Sequence, residues 1–172
     1  ASGRKDWIGW VELKNEPVDE EAILNTGRVI DDVNADILAV VEAEDRPSLK
    51  KFSEVIIKKI NGTPYNKVML IDGNDDRGID VGMIYRHDVF QPLGSKWIDI
   101  AFEMDTSLTT RDILYVKGIA NQQDTLHLFI NHWPSRWGGV EATEPKRIEV
   151  ARKLKKVTDS LFHVEKYPNI LI

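Results

Sequence analysis

Cysteine is absent from all 172 residues, which excludes disulfides, thiolate zinc sites and a cysteine nucleophile and leaves the redox compartment open. Long apolar runs are absent as well. No segment approaches the roughly 20 residues needed to cross a bilayer, and residues 1–10 lack the apolar stretch of a signal peptide. A soluble chain is expected, its localisation unassigned. Positive charge is in deficit, with 23 Lys and Arg against 28 Asp and Glu and a net charge of −5. That balance argues against a broad basic surface for nucleic acid, because such binding rests on Lys and Arg displacing counterions. A phosphate-bearing substrate stays open, since a bound divalent cation can supply positive charge locally. With 42% hydrophobic and 30% charged residues, the composition is that of one globular domain with an ordinary core.

The order of elements reads as α/β in the first half. Pro17 and the acidic Asp19, Glu20 and Glu21 start a helix over 17–33, with Ala22, Ile23, Thr26, Ile30 and Val33 at helical spacing. Ile37 to Val41 is apolar on both faces and reads as a strand in the middle of a sheet, ending at Glu42. Asp45 caps a second helix lined by Leu49, Phe52, Ile56 and Ile60 and closed by Asn61 and Gly62, and Val68 to Ile71 is a further strand. This succession predicts neighbouring parallel strands joined by a right-handed crossover. A polar loop spans 72–78. Beyond it come short runs, Ile79 to Arg86, Val89 to Pro92, Trp97 to Phe102, Ile113 to Ile119 and Thr125 to Ile130, which predict antiparallel pairing through short turns. A long helix is expected from Pro145 to Val164, with Ile148, Ala151, Leu154, Thr158 and Leu161 on its packed face and a solvated basic face opposite. Asn169 to Ile172 reads as a buried strand.

Two places carry candidate chemistry. Glu42 stands at the end of a strand, where ligands gather in α/β sheets, within the acidic run Glu42, Ala43, Glu44, Asp45. The run is either a helix-capping turn or a hard-oxygen metal site of the kind Mg²⁺ prefers. His132 follows the strand Leu126 to Ile130 and opens the loop Asn131, His132, Trp133, Pro134, Ser135, Arg136, Trp137, Gly138, Gly139. An imidazole there suits proton donation or hydrogen bonding to a phosphate, with Asn131, Ser135 and Arg136 as further donors, or else it is a buried histidine satisfied by backbone. His87, His127 and His163 read as structural or surface residues. Asp80 and Arg111 each open a strand and are, on spacing alone, ordinary strand-edge charges.

Asp36 to Glu42 with Glu44 and Asp45, then Arg77 to Arg86, then Asn131 to Gly139, in this order, resemble the endonuclease/exonuclease/phosphatase superfamily with its deoxyribonuclease I-like fold. The resemblance implies a four-layer α/β sandwich, its sheets mixed, largely antiparallel and flanked by helices. It implies Glu42 as the ligand of Mg²⁺ or Mn²⁺, although Val41 stands where the family usually has Gln. It implies His132 as the catalytic residue facing the phosphate, Asp80 as the acid steadying it, and Arg111 as the arginine reaching the phosphate. The family's first strand with its metal-site Asn, its Gly-Asp-Phe-Asn motif and its later Asp-His pair have no counterpart in 1–172. The chain is therefore expected to be one incomplete domain whose partners are a phosphate-ester substrate (nucleic acid, nucleotide or phospholipid headgroup) and the remainder of its own domain.

The expected function is metal-dependent phosphoester hydrolysis, as a nuclease, phosphodiesterase or phosphatase, with this chain inactive alone. The competing expectation is a non-catalytic binding or scaffold domain that keeps the α/β framework.

Overall fold

The computed structural model describes residues 20–70, 72–73, 78–103 and 110–172. The expected helix start at Pro17, the strand end at Ile71 and most of the 72–78 loop, Arg77 included, lie outside the described residues. Helix α1 is Glu20–Val33 and strand β1 Ile37–Ala43. Helix α2, Arg46–Lys51, passes through a π-helical stretch, Phe52–Ile57, into α3, Lys58–Asn61. The Asp45 carboxylate accepts the Ser48 N–H at 2.7 Å as the N-cap, and Gly62 at φ 78 ends the helix in the left-handed conformation. Strands β2 (Lys67–Leu70), β3 (Asp80–Tyr85), β4 (Phe90–Ile98), β5 (Ile113–Ala120) and β6 (Asp124–Ile130) follow, then α4 (Val140–Val164) and β7 (Asn169–Leu171).

Two sheets form, one ordered β1-β3-β2 and the other β4-β5-β6-β7. Every pairing is antiparallel except β6 with β7. β1 and β2 therefore run parallel, as their crossover requires, but they are not neighbours. β3 lies between them, and the expectation of β1 as a central strand is corrected too. All six residues of β3 are buried, whereas β1 and β2 are partly exposed, so the strand that can be covered on both faces and both sides takes the centre. The run 89–92 and the first two residues of 97–102 likewise prove to be one strand, β4, which ends at Ile98 and is kinked by a register shift between Pro92 and Gly94, where proline has no N–H to give the ladder.

Alternation along the strands distributes the core into three layers of contact. Val81, Met83 and Tyr85 of β3 meet Phe90, Leu114, Val116, Leu128 and Ile130 between the sheets. Ile84 and Leu70 face Leu49 and Ile57 of the first helical layer. Ile113 and Phe129 face Val150 and Leu154 of α4. The order is helices, sheet, sheet, helix, the four-layer sandwich. Helix α4 begins at Val140, five residues before Pro145, and its packed face is Val150, Leu154, Val157 and Leu161, while Ile148 is exposed. β7 pairs as expected, yet Leu171 and Ile172 are exposed rather than buried.

One polar network centred on a buried histidine fastens the end of α4 to the second sheet. His127 is fully buried, with Nδ1 2.8 Å from the Tyr115 hydroxyl and Nε2 3.1 Å from Glu165 Oε2, and Lys117 Nζ donates to Glu165 Oε1 at 2.7 Å. The Glu165 N–H closes α4 on the Leu161 carbonyl. This network is a structural role for His127, in keeping with the reading of that histidine from its position in a strand.

Two predictions follow from the packing. At Gly118 an added Cβ would stand 2.3 Å from Phe90 Cζ and 2.9 Å from the Gln91 carbonyl. Gly118→Ala should lower stability by about 1–3 kcal/mol through overpacking, read as a drop in urea midpoint. At Glu165 the hydrogen bond from Lys117, and after it that from His127, holds the carboxyl below its ordinary value, while the same carboxylate raises Lys117. The lowered carboxylate contributes stability above its ordinary pKa of about 4.3 and loses it as pH falls through the depressed folded value; the raised Lys117 contributes below about 10.4. Tm should therefore fall more steeply below about pH 4.3 in the parent than in Glu165→Gln, and parallel curves would show that the network carries no such linkage.

Candidate functional site

The pairing of the strands brings the chemistry to one end of the sandwich. Because β3 is antiparallel to β1, and β5 to β6, the last residues of β1 and β6 lie beside the first residues of β3 and β5. Glu42 and Asp80 thus share one sheet end, and Arg111, Asp112 and His132 share the end of the other.

Glu42 is placed by a bulge. In the register of β1 on β3, Val41 faces Val81 and Ala43 faces Asp80, so Glu42 is the extra residue. It adopts φ 59, a left-handed conformation that an ordinary side chain rarely takes and that strains the backbone. The bulge breaks the alternation and turns the side chain out of the sheet. The carboxylate is 64% exposed, and its Oε1 lies 3.7 Å from His132 Nε2. Nothing in the sequence signals this bend, since glutamate is not among the residues that favour it. Next in the acidic run, burial, with the charge of Asp45 behind it, pushes the Glu44 carboxyl up, and Asp45 is engaged as the helix cap.

His132 is held from beneath. Arg111, 5% exposed, donates from Nε to the His132 carbonyl at 3.2 Å and from Nη2 to the Trp133 carbonyl at 3.1 Å. In this arrangement Arg111 fastens the His132 loop through two backbone carbonyls. His132 Nδ1 is buried and has no hydrogen-bond partner among the described residues. Asp80 therefore does not steady the ring through that atom. Its Oδ1 accepts the Gly73 N–H at 3.1 Å instead, and a Cβ on Gly73 would meet both Asp80 Oδ1 at 3.0 Å and Asp112 Oδ2 at 3.5 Å. The two buried carboxylates both lie close to Gly73, where a side chain would crowd Asp80. Asp112 also accepts the Ile100 N–H at 3.0 Å. It was missed as a site-shaping residue, although it adjoins Arg111 at a strand start.

Asn131 donates to the Phe129 carbonyl at 2.6 Å, and its buried Oδ1 has no partner among the described residues. The Ser135 hydroxyl accepts the Trp137 N–H at 3.0 Å, which ties it to the turn rather than to the Glu42–His132 pair. Beside that pair a cavity of about 510 Å³ opens between the sheets, lined by Ile37, Ala39, Val41, Ile130, Asn131 and Leu171 among others. The structure therefore brings Glu42 and His132 together, sets Arg111 and Asp80 as supports, and leaves Ser135 apart.

Solved structures of similar fold include TDP2 from Caenorhabditis elegans (16% identity, TM-score 0.57, covering 83% of this chain and 38% of that one). An endonuclease/exonuclease/phosphatase from Bacteroides vulgatus (16%, 0.52, 79% and 52%) and the human Nocturnin catalytic domain with bound sulfate anion (11%, 0.53, 81% and 52%) are similar as well. The chain thus spans about half or less of the length of these relatives. No curated protein sequence matches. A family model described as the endonuclease/exonuclease/phosphatase family matches residues 6–172, and with that match and the four-layer sandwich in hand, the chain belongs to this family.

Proposed function

We propose that this chain carries part of the catalytic centre of a metal-dependent phosphoester hydrolase, with Glu42 as a ligand of Mg²⁺ or Mn²⁺ and His132 as the group that hydrogen-bonds or protonates the phosphate. The observation that supports this most directly is the strained bulge that holds the Glu42 carboxylate 3.7 Å from His132 Nε2. Strain of this kind persists where surrounding structure enforces it, and it clusters at functional sites. The donor chemistry fits the ion. Mg²⁺ takes one or two carboxylates and fills its remaining positions with water and substrate oxygen. Glu42 offers one exposed hard oxygen donor, and among the described residues no three His, Asp or Glu converge into an all-protein cage. When bound, the cation neutralises charge on the phosphate.

The residues themselves supply position and a proton. His132 Nε2 can donate to a phosphoryl oxygen at the edge of the Glu42 carboxylate. Arg111 holds the backbone that carries it, and Asp80 at the start of β3 accepts the Gly73 N–H. The identity of the ester is open among nucleic acid, nucleotide and phospholipid headgroup. Because groups that act as a unit fail together, and because the chain spans 38–52% of the relatives described, turnover is proposed for the natural full-length protein. Residues 1–172 alone are expected to turn over little.

Mn²⁺ titrated into the 172-residue chain should broaden the NMR signals of Glu42, Ala43 and His132 first, and Glu42→Gln should remove the effect. Broadening centred elsewhere, or unchanged in the variant, would overturn the metal site. In the full-length protein with Mg²⁺, His132→Ala should reduce kcat by about 10²–10⁴-fold with circular dichroism unchanged. Undiminished turnover would remove His132 from the chemistry, and no turnover by the parent would favour the binding-domain reading.

A further inference from the structure

Trp137 is 88% exposed, more than any other large apolar side chain of the described residues, and it stands five positions after His132 in the same loop. An indole in water forgoes the burial that makes aromatic residues valuable. Its sister Trp133 packs against the core under α4. The exposure is not that of a loose segment. Arg111 holds the loop at the His132 and Trp133 carbonyls. Ser135 Oγ accepts the Trp137 N–H, and the Gly139 N–H closes a turn on the Arg136 carbonyl at 3.1 Å. From α4, Arg147 donates to the Ser135 and Val140 carbonyls at 3.4 and 3.1 Å, and Thr143 Oγ1 donates to the Gly139 carbonyl at 2.8 Å. Gly138 at φ 90 and Gly139 at φ 110 give the bend that returns the chain into the helix. The loop is pinned on both sides of the indole, so the ring is presented at the tip of a fixed turn.

Five residues of chain keep Trp137 within about 18 Å of His132, a span that an extended substrate held at the Glu42–His132 pair can bridge. Arg136 beside it is exposed, which adds a positive charge on the approach of an anionic ester in a chain that is otherwise acidic. We propose that Trp137 is a specificity residue: its indole face stacks a planar aromatic group, a nucleobase or an aryl ring, carried on the ester oxygen of the substrate, so that the site prefers such phosphoesters to purely aliphatic ones. Stacking tolerates different rings, since any π-face suffices, and this selects an aromatic class without reading base identity. The proposal rests on the hydrolase reading above and deepens it.

The full-length protein with Mg²⁺ is assayed on three phosphodiesters, a dinucleotide, bis(p-nitrophenyl) phosphate and glycerophosphocholine, the last without an aromatic group. Trp137→Ala should raise KM for the aromatic esters by about tenfold, leave kcat within about twofold, and leave glycerophosphocholine unchanged. Trp137→Phe should retain most of the preference. A loss confined to the dinucleotide identifies the nucleobase as the source, and a loss on both aromatic esters identifies the ring in general. Equal effects on all three esters, or none on any, overturn the proposal. If the parent hydrolyses none of them, the hydrolase reading fails, and the stacking is judged separately on the 172-residue chain. There the indole N–H signal missing from Trp137→Phe should shift with adenosine monophosphate and stay fixed with glycerol phosphate or inorganic phosphate. A fixed signal throughout, or one that moves only with phosphatidylcholine vesicles, overturns it.

Discussion

One extra residue in β1 decides where the candidate site lies. Between Val41 and Ala43 the ladder to β3 slips by a single position, and the displaced residue is Glu42. Had the ladder run on unbroken, the glutamate would have kept its place in the alternation and stood against one face of the sheet. The slip moves it off both faces and toward the other sheet, where His132 leaves β6. The strained backbone at Glu42 is tolerated because its neighbours are fixed. β3 is fully buried beside it, and the Asp45 cap begins the next helix only three residues later.

The second half of the site depends on the same economy of strand ends. Arg111 starts β5 as His132 ends β6, and antiparallel pairing makes these positions adjacent, so a buried guanidinium beneath the loop can reach two of its carbonyls. A charge at that depth is costly unless every donor is occupied, and the carbonyls of a loop that has just left its sheet need donors. Each supplies what the other lacks. The arginine that a family pattern suggests as a phosphate contact is in this structure a fastening of the backbone that carries His132.

What could be read from the sequence follows the range of the physics involved. The Asp45 cap, the Gly62 terminus, β5, β6 and the identity of Glu42 and His132 depend on local pattern, and they are legible in a few consecutive residues. The placing of β3 between β1 and β2 is not, because it depends on which strand is covered from both sides, and Asp80 and Gly82 interrupt the apolar run that would announce a central strand. The packed face of α4 includes Val150 in place of the expected Ile148. Both fit a helical stripe, and only contact with Ile113 and Phe129 selects Val150. The bulge at Glu42 had no residue signature at all. Local pattern therefore marks Glu42 and His132 as candidates, and the geometry that brings them together comes from tertiary pairing.

The end of β6 also carries a tension that bears on how such a site works. His132 Nδ1 and Asn131 Oδ1 are both buried without partners among the described residues, next to an apolar cavity between β1 and β7. Buried polar atoms in native proteins are nearly always satisfied, and each one left alone costs about 1–3 kcal/mol. An imidazole whose Nδ1 lacks a partner has no fixed tautomer, so its Nε2 is not committed to donating. A carboxylate or carbonyl brought to Nδ1 would settle that choice and make Nε2 a donor toward the Glu42 side. Asp80, which accepts the Gly73 N–H, does not fill that role here. The two unpartnered atoms thus mark the end of β6 as the place where a further hydrogen-bonding group would act on the His132 ring.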